Sequence, residues 1–209
     1  SLIVPFSLFL TVNVTATPFS KVLAKPSSPT GYSPQQMQAA YNVDTLIKQG
    51  YDGSGTTIVI VDAYGSSSIT TDVNYFDSYF GLPQIKLNIY YPEGKVNAKN
   101  TGWAQETTLD VEWAHSIAPG ATIDLVVVKS ASFSDLYAGL QYAVNLKSST
   151  NVVAISMSFG AAESQTPTST LSQWDSLFST AISYGITPIA SSGDNGAYDG
   201  TSSLTVNFP

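Results

Sequence analysis

The chain has 209 residues, a formal net charge of −7 and only eight Lys and Arg residues, which are scattered along it. So few cations exclude a phosphate-backbone binding surface, and with it nucleic acid as a partner. No apolar run approaches the roughly 18 residues needed to span a bilayer, and the absence of cysteine excludes a disulfide framework or a thiolate metal site. With 43% hydrophobic residues the chain can bury one sizeable core. Charged residues make up 11%, against an average near 25%. A surface with few ion pairs loses little when carboxylates protonate, so weak acid sensitivity and an acidic extracellular setting are expected.

Residues 1–20 form a separate apolar stretch, either the remnant of a signal peptide or the last strand of a preceding propeptide. Lys25 to Gly31 is a Pro/Ser linker without periodicity, so residues 1–31 are set apart from a domain spanning 32–209. Ser33-Pro34 pairs an N-cap with proline at the first helical position and opens a helix running to about Ile47. Thr56 to Val61 is a β-branched run suited to a strand buried on both faces. A helix follows over Ser68 to Phe80, then a strand over Leu87 to Tyr91. Glu106 to Ser116 reads as a helix, Thr122 to Val128 as a second buried strand, and Ser134 to Leu146 as an amphipathic helix. Asn151 to Ser156 is a strand, Thr170 to Tyr184 a helix, and Thr187 to Ala190 a strand. This alternation predicts an α/β fold, a mostly parallel sheet with helices on both faces. Ligands bind such sheets beyond the carboxyl ends of the strands.

Four groups of residues could carry chemistry at that edge. Glu106 and Asp110, four apart on a helix, stack their carboxyls on one face. Two acids that close share a proton into the mildly acidic range and suit general acid–base work. Acids near a helix start are equally what the macrodipole favours. Asp194 sits in a Gly-rich loop directly after a strand, where an Asp-Asn-Gly turn is also common. Ser158, Phe159 and Gly160 end another strand, and Gly160 permits close approach by an extended peptide. Asp62 closes a buried strand, an unusual place for a carboxylate. The single histidine, His115, has no second His or Cys with which to build a metal site.

In chain order, Ile58-Val-Ile-Val-Asp-Ala-Tyr-Gly65, Ile117-Ala-Pro-Gly-Ala121, Ser156-Met-Ser-Phe-Gly160 and Ser191-Ser-Gly-Asp-Asn-Gly196 resemble motifs of subtilisin-like peptidases. Glu106 stands where ordinary subtilisins carry a His-Gly-Thr motif, Asp110 follows four residues on, and Asp194 replaces an oxyanion-loop Asn. At those three positions the sequence resembles the sedolisins, the serine-carboxyl peptidases. The resemblance implies a subtilisin-like fold and peptide-bond hydrolysis in acid through a Ser-Glu-Asp triad. It gives Glu106 the role of general base, Asp110 that of its partner, and Asp194, as a protonated donor, that of oxyanion stabiliser. Asp62 would support Glu106, while Phe159 and the backbone of Ser158 and Gly160 would contact substrate.

In the family the nucleophile lies in a Gly-Thr-Ser motif well beyond the oxyanion loop. Gly200-Thr-Ser202 follows Asp194 too closely for that arrangement, so the serine is expected beyond Pro209 and these 209 residues alone are expected to be inactive. Calcium is implied by the resemblance, its ligands also lying outside this chain. A secreted monomer acting on peptide or protein substrates is the further expectation. The alternatives are a catalytically dead, peptide-binding relative and a secreted adhesion module.

Overall fold

The computed structural model describes residues 15–18, 31–96, 99–198 and 202–209. The boundary reading for residues 1–31 therefore lies mostly outside the described residues, as do Gly200 and Thr201. A short strand β1 (Thr17–Pro18) is followed by α1 (Pro34–Ala40), α2 (Val43–Lys48), β2 (Thr57–Ala63), α3 (Ile69–Phe80) and β3 (Lys86–Tyr90). Then come α4 (Thr101–Ile117), β4 (Thr122–Val128), α5 (Phe133–Asn145), β5 (Val152–Met157), β6 (Phe159–Ala162), α6 (Thr168–Ser183), β7 (Thr187–Ala190) and β8 (Asn207–Phe208). Five strands form one sheet in the order β3-β4-β2-β5-β7, and each neighbouring pair is parallel. A second, three-stranded sheet, β1-β6-β8, is antiparallel.

Two sequence expectations need correction. The helix opened by Ser33 does form with its capping box, the Ser33 hydroxyl accepting from Gln36 N and the Gln36 side chain accepting from Ser33 N. It ends at Ala40, however, and a second helix starts at Val43, because Asn42 adopts the left-handed conformation (φ 57°) that asparagine tolerates better than most residues. Conversely, the helix expected from Glu106 begins at Thr101. Asn100 caps it by accepting from Trp103 N at 3.1 Å.

The strand period of two sorts the core into two layers. From β2, Val59, Val61 and Ala63 point to one face and join Val126 and Val128 of β4, Leu136 and Leu140 of α5, and Trp174 of α6. Ile60 points to the other and joins Ile123, Leu125 and Val127 of β4, Val73 of α3 and Val111 of α4. Helices thus cover both faces, and the central strands read as mostly apolar runs because neither side meets water, broken by the buried carboxyls of Asp62 in β2 and Asp124 in β4. By the same alternation Asp62 shares the face of Ile60, beneath α4. Among the described residues no helix is long and apolar enough to cross a membrane.

Candidate active site

All five strands of the main sheet run the same way, so their carboxyl ends gather at one edge. Asp62 is the penultimate residue of β2, Ser158 follows β5, and Asp194 lies in the loop after β7. α4 lies over this edge and carries Glu106 and Asp110 one turn apart on the face turned to the sheet. Asp62 and Glu106 are buried, at 0% and 3% exposure, while Asp110 is partly buried.

Three carboxyls in so small a space cannot all ionise cheaply. Burial, and then the charge on Glu106, push Asp110 up to about 7, against the opposing effect of a hydrogen bond from Ser158. Asp62 is held well above the usual carboxylate range by burial first, then by Asp110 and Glu106. The Thr107 hydroxyl lies near Asp62 and opposes this rise, without making a hydrogen bond of good geometry. Asp110 Oδ1 accepts from Ser158 Oγ at 2.9 Å, and this bond ties α4 to the segment between β5 and β6. Spacing alone gave no sign of it, because 48 residues separate the partners.

These shifts make a stability prediction whose sign is fixed. A carboxyl whose folded pKa lies above its unfolded value adds stability below the unfolded value, and that stability is lost as pH rises through the folded one. The thermal midpoint should therefore fall between about pH 4 and pH 7, the range set by Asp110. Asp110→Asn should flatten this part of the profile in a calorimetric series. An unchanged slope would show that the carboxyl does not titrate in that range.

The substrate-contact expectations divide. Phe159 is fully buried, its ring 6.2 Å from Trp103 and 6.4 Å from Trp174, centre to centre. The expected side-chain contact with substrate is therefore corrected: β6 has one face on the core, and Phe159 belongs to that face. The backbone of Phe159 and Gly160 is engaged by another stretch of the chain. Thr17 and Pro18 pair antiparallel with Gly160 and Phe159. On the other side, Ala16 N donates to Ala131 O at 2.8 Å, and Thr15 bridges Ser132. Residues 15–18 thus lie as an extended segment between the 131–132 and 159–160 stretches.

Asp194 is exposed and lies two strands from Asp62 along the sheet edge. His115 is buried away from the cluster, Nε2 lying 2.8 Å from Pro83 O and 3.3 Å from Asp77 Oδ1. It holds the α3–β3 turn against α4. No group of three His, Cys, Asp or Glu residues among the described residues could hold a metal ion.

Comparison with known proteins bears on this geometry. No family model matches the chain. Over 190 residues, 89% of the chain, it is 27% identical to kumamolisin from Bacillus sp. strain MN-32. These findings support a sedolisin-family relationship. The fold agrees: the chain matches a solved Pseudomonas sedolisin, a serine-carboxyl proteinase complexed with two molecules of pseudo-iodotyrostatin. The TM-score is 0.64 and the identity 23% over 88% of the chain. The five-stranded parallel sheet flanked by helices is thus the subtilisin-like fold of sedolisin. The chain spans 33% of the length of kumamolisin and 52% of the solved sedolisin chain.

Proposed function

We propose that the whole protein hydrolyses peptide bonds at acidic pH as a serine-carboxyl peptidase. The observation that carries this reading is the buried cluster of Asp62, Glu106 and Asp110, tied through Ser158 to a strand that already accepts an extended segment. Glu106 takes the proton of a serine hydroxyl as that oxygen attacks the scissile carbonyl, and returns it to the departing amine. Asp110 and Asp62 are positioning residues that keep a shared proton in the cluster and so govern when Glu106 is free to accept one. Asp194, from the facing loop, donates to the oxyanion. The serine itself is supplied outside residues 1–209, and so are the ligands of any calcium ion, so these residues alone have no activity. Action as a secreted monomer on peptides or proteins completes the reading.

A second reading, peptide capture without hydrolysis, is favoured by the pairing of residues 17–18 with 159–160, which needs no catalytic group. Incubating the whole protein with an unstructured peptide at pH 4, and following fragments by mass spectrometry, separates the two. Cleavage supports the peptidase, whereas saturable binding of intact peptide supports capture.

A further inference from the structure

On the far side of α4 from the acid cluster lies a cavity of about 460 Å³. Glu112 lines it from α4, two residues and about 200° of helix rotation from Asp110. Its other walls are aromatic: Tyr32 ahead of α1, Tyr75, Phe76 and Tyr79 from α3, and Trp113. The helical period places Tyr75 and Tyr79 on one face, where they stack with centres 5.9 Å apart. Phe76 meets Trp113 edge to face at 6.3 Å. Tyr32, Tyr75 and Tyr79 are 74%, 64% and 51% exposed, so a cluster of large rings is kept in water.

The polar groups decide what such a cavity takes. The Ser33 hydroxyl at its edge is already spent on the N-cap of α1. The Glu112 carboxyl has no hydrogen bond or ion pair among the described residues. Asp72 and Asp77 of α3 add further negative charge close by. A ligand rich in hydroxyls, such as a sugar, would find too few donors and acceptors here. Ring faces carry negative potential and attract cations, and a carboxylate beside them adds to that attraction.

We propose that this cavity binds an alkylammonium group, of the kind a lysine side chain carries, held by the tyrosine faces and paired with Glu112. The site is separate from the peptidase chemistry and does not depend on it.

The ionisation of Glu112 provides an internal control. Burial first, then Asp72 and Asp77, push its carboxyl up to about 8. Of the other titrating groups packed nearby, His115 of α4 is occupied with Asp77, and the start of α1 contributes only the phenol of Tyr32. A permanent cation should therefore bind more tightly as pH rises from 6 to 9.

The test titrates the protein with choline and with its neutral, isosteric counterpart 3,3-dimethylbutan-1-ol, following tyrosine side-chain NMR shifts. Choline should saturate Tyr75 and Tyr79 shifts, and the alcohol should bind at least about tenfold more weakly. Glu112→Gln should remove most of that preference together with the pH dependence, and Tyr79→Ala should weaken choline about tenfold. Two-dimensional spectra of both variants confirm that the fold is intact. Equal binding of the alcohol, wild-type affinity in Glu112→Gln, or no saturable shift with choline would each overturn the proposal.

Discussion

Glu106→Gln in the whole protein should lower kcat/KM for peptide hydrolysis at acidic pH by about 10²–10⁴-fold, the usual contribution of general acid–base catalysis. The amide keeps the shape of the side chain and its capacity to hydrogen-bond, but it cannot accept the serine proton. Glu106 is 3% exposed, so the substitution also removes an acid from a crowded, desolvated cluster. Relieving the repulsion among Asp62, Glu106 and Asp110 should leave stability equal to wild type or higher. Loss of rate with retained stability therefore identifies the base. Loss of both would mean that Glu106 holds the fold together, and wild-type rates would remove it from the mechanism.

Trp174→Ala should destabilise the protein by about 3–5 kcal/mol, the range for deleting a fully buried aromatic side chain. Trp174 is 0% exposed and packs against Phe133, Phe159, Phe178 and Phe208, with ring centres 5.5–6.4 Å apart. It therefore joins α5, α6, β6 and β8 in one cluster. The effect should reach the acid cluster as well, because Phe159 adjoins Ser158, the donor to Asp110. Chemical denaturation measures the stability term, and a loss below about 1 kcal/mol would show that the site collapses around the missing ring.

The sheet was legible because its strands are short, mostly apolar and β-branched runs, in which single polar residues such as Asp62 and Asp124 do not mask the pattern. Thr122–Val128 and Thr187–Ala190 begin and end where the sequence places them. Helix starts were less legible, since caps depend on single residues: Asn100 extends α4 by five positions, and Asn42 divides one expected helix into two. At the site, the spacing of Glu106 and Asp110 was readable because four residues make about one helical turn. The burial of Asp62 beside them follows from strand alternation, once α4 is known to cover that face. The Ser158–Asp110 bond was not readable, because it joins distant parts of the chain whose meeting depends on how α4 crosses the sheet. Phe159 misled for a related reason. A strand-end aromatic suits a pocket wall and a core equally well, and only the packing of Trp103 and Trp174 around it decides between them. Glu112 carried no motif, and its place in the cavity emerges only when α3 brings its tyrosines alongside.

The pH profile of kcat/KM for a chromogenic peptide, measured with the whole protein from pH 3 to pH 9, tests the carboxyl cluster as catalyst most directly. Hydrolysis should be confined to the acidic side, declining as the shared proton leaves the cluster near the value of about 7 that Asp110 sets. A rate that rises through neutrality to an alkaline plateau, as a histidine base would give, would contradict it.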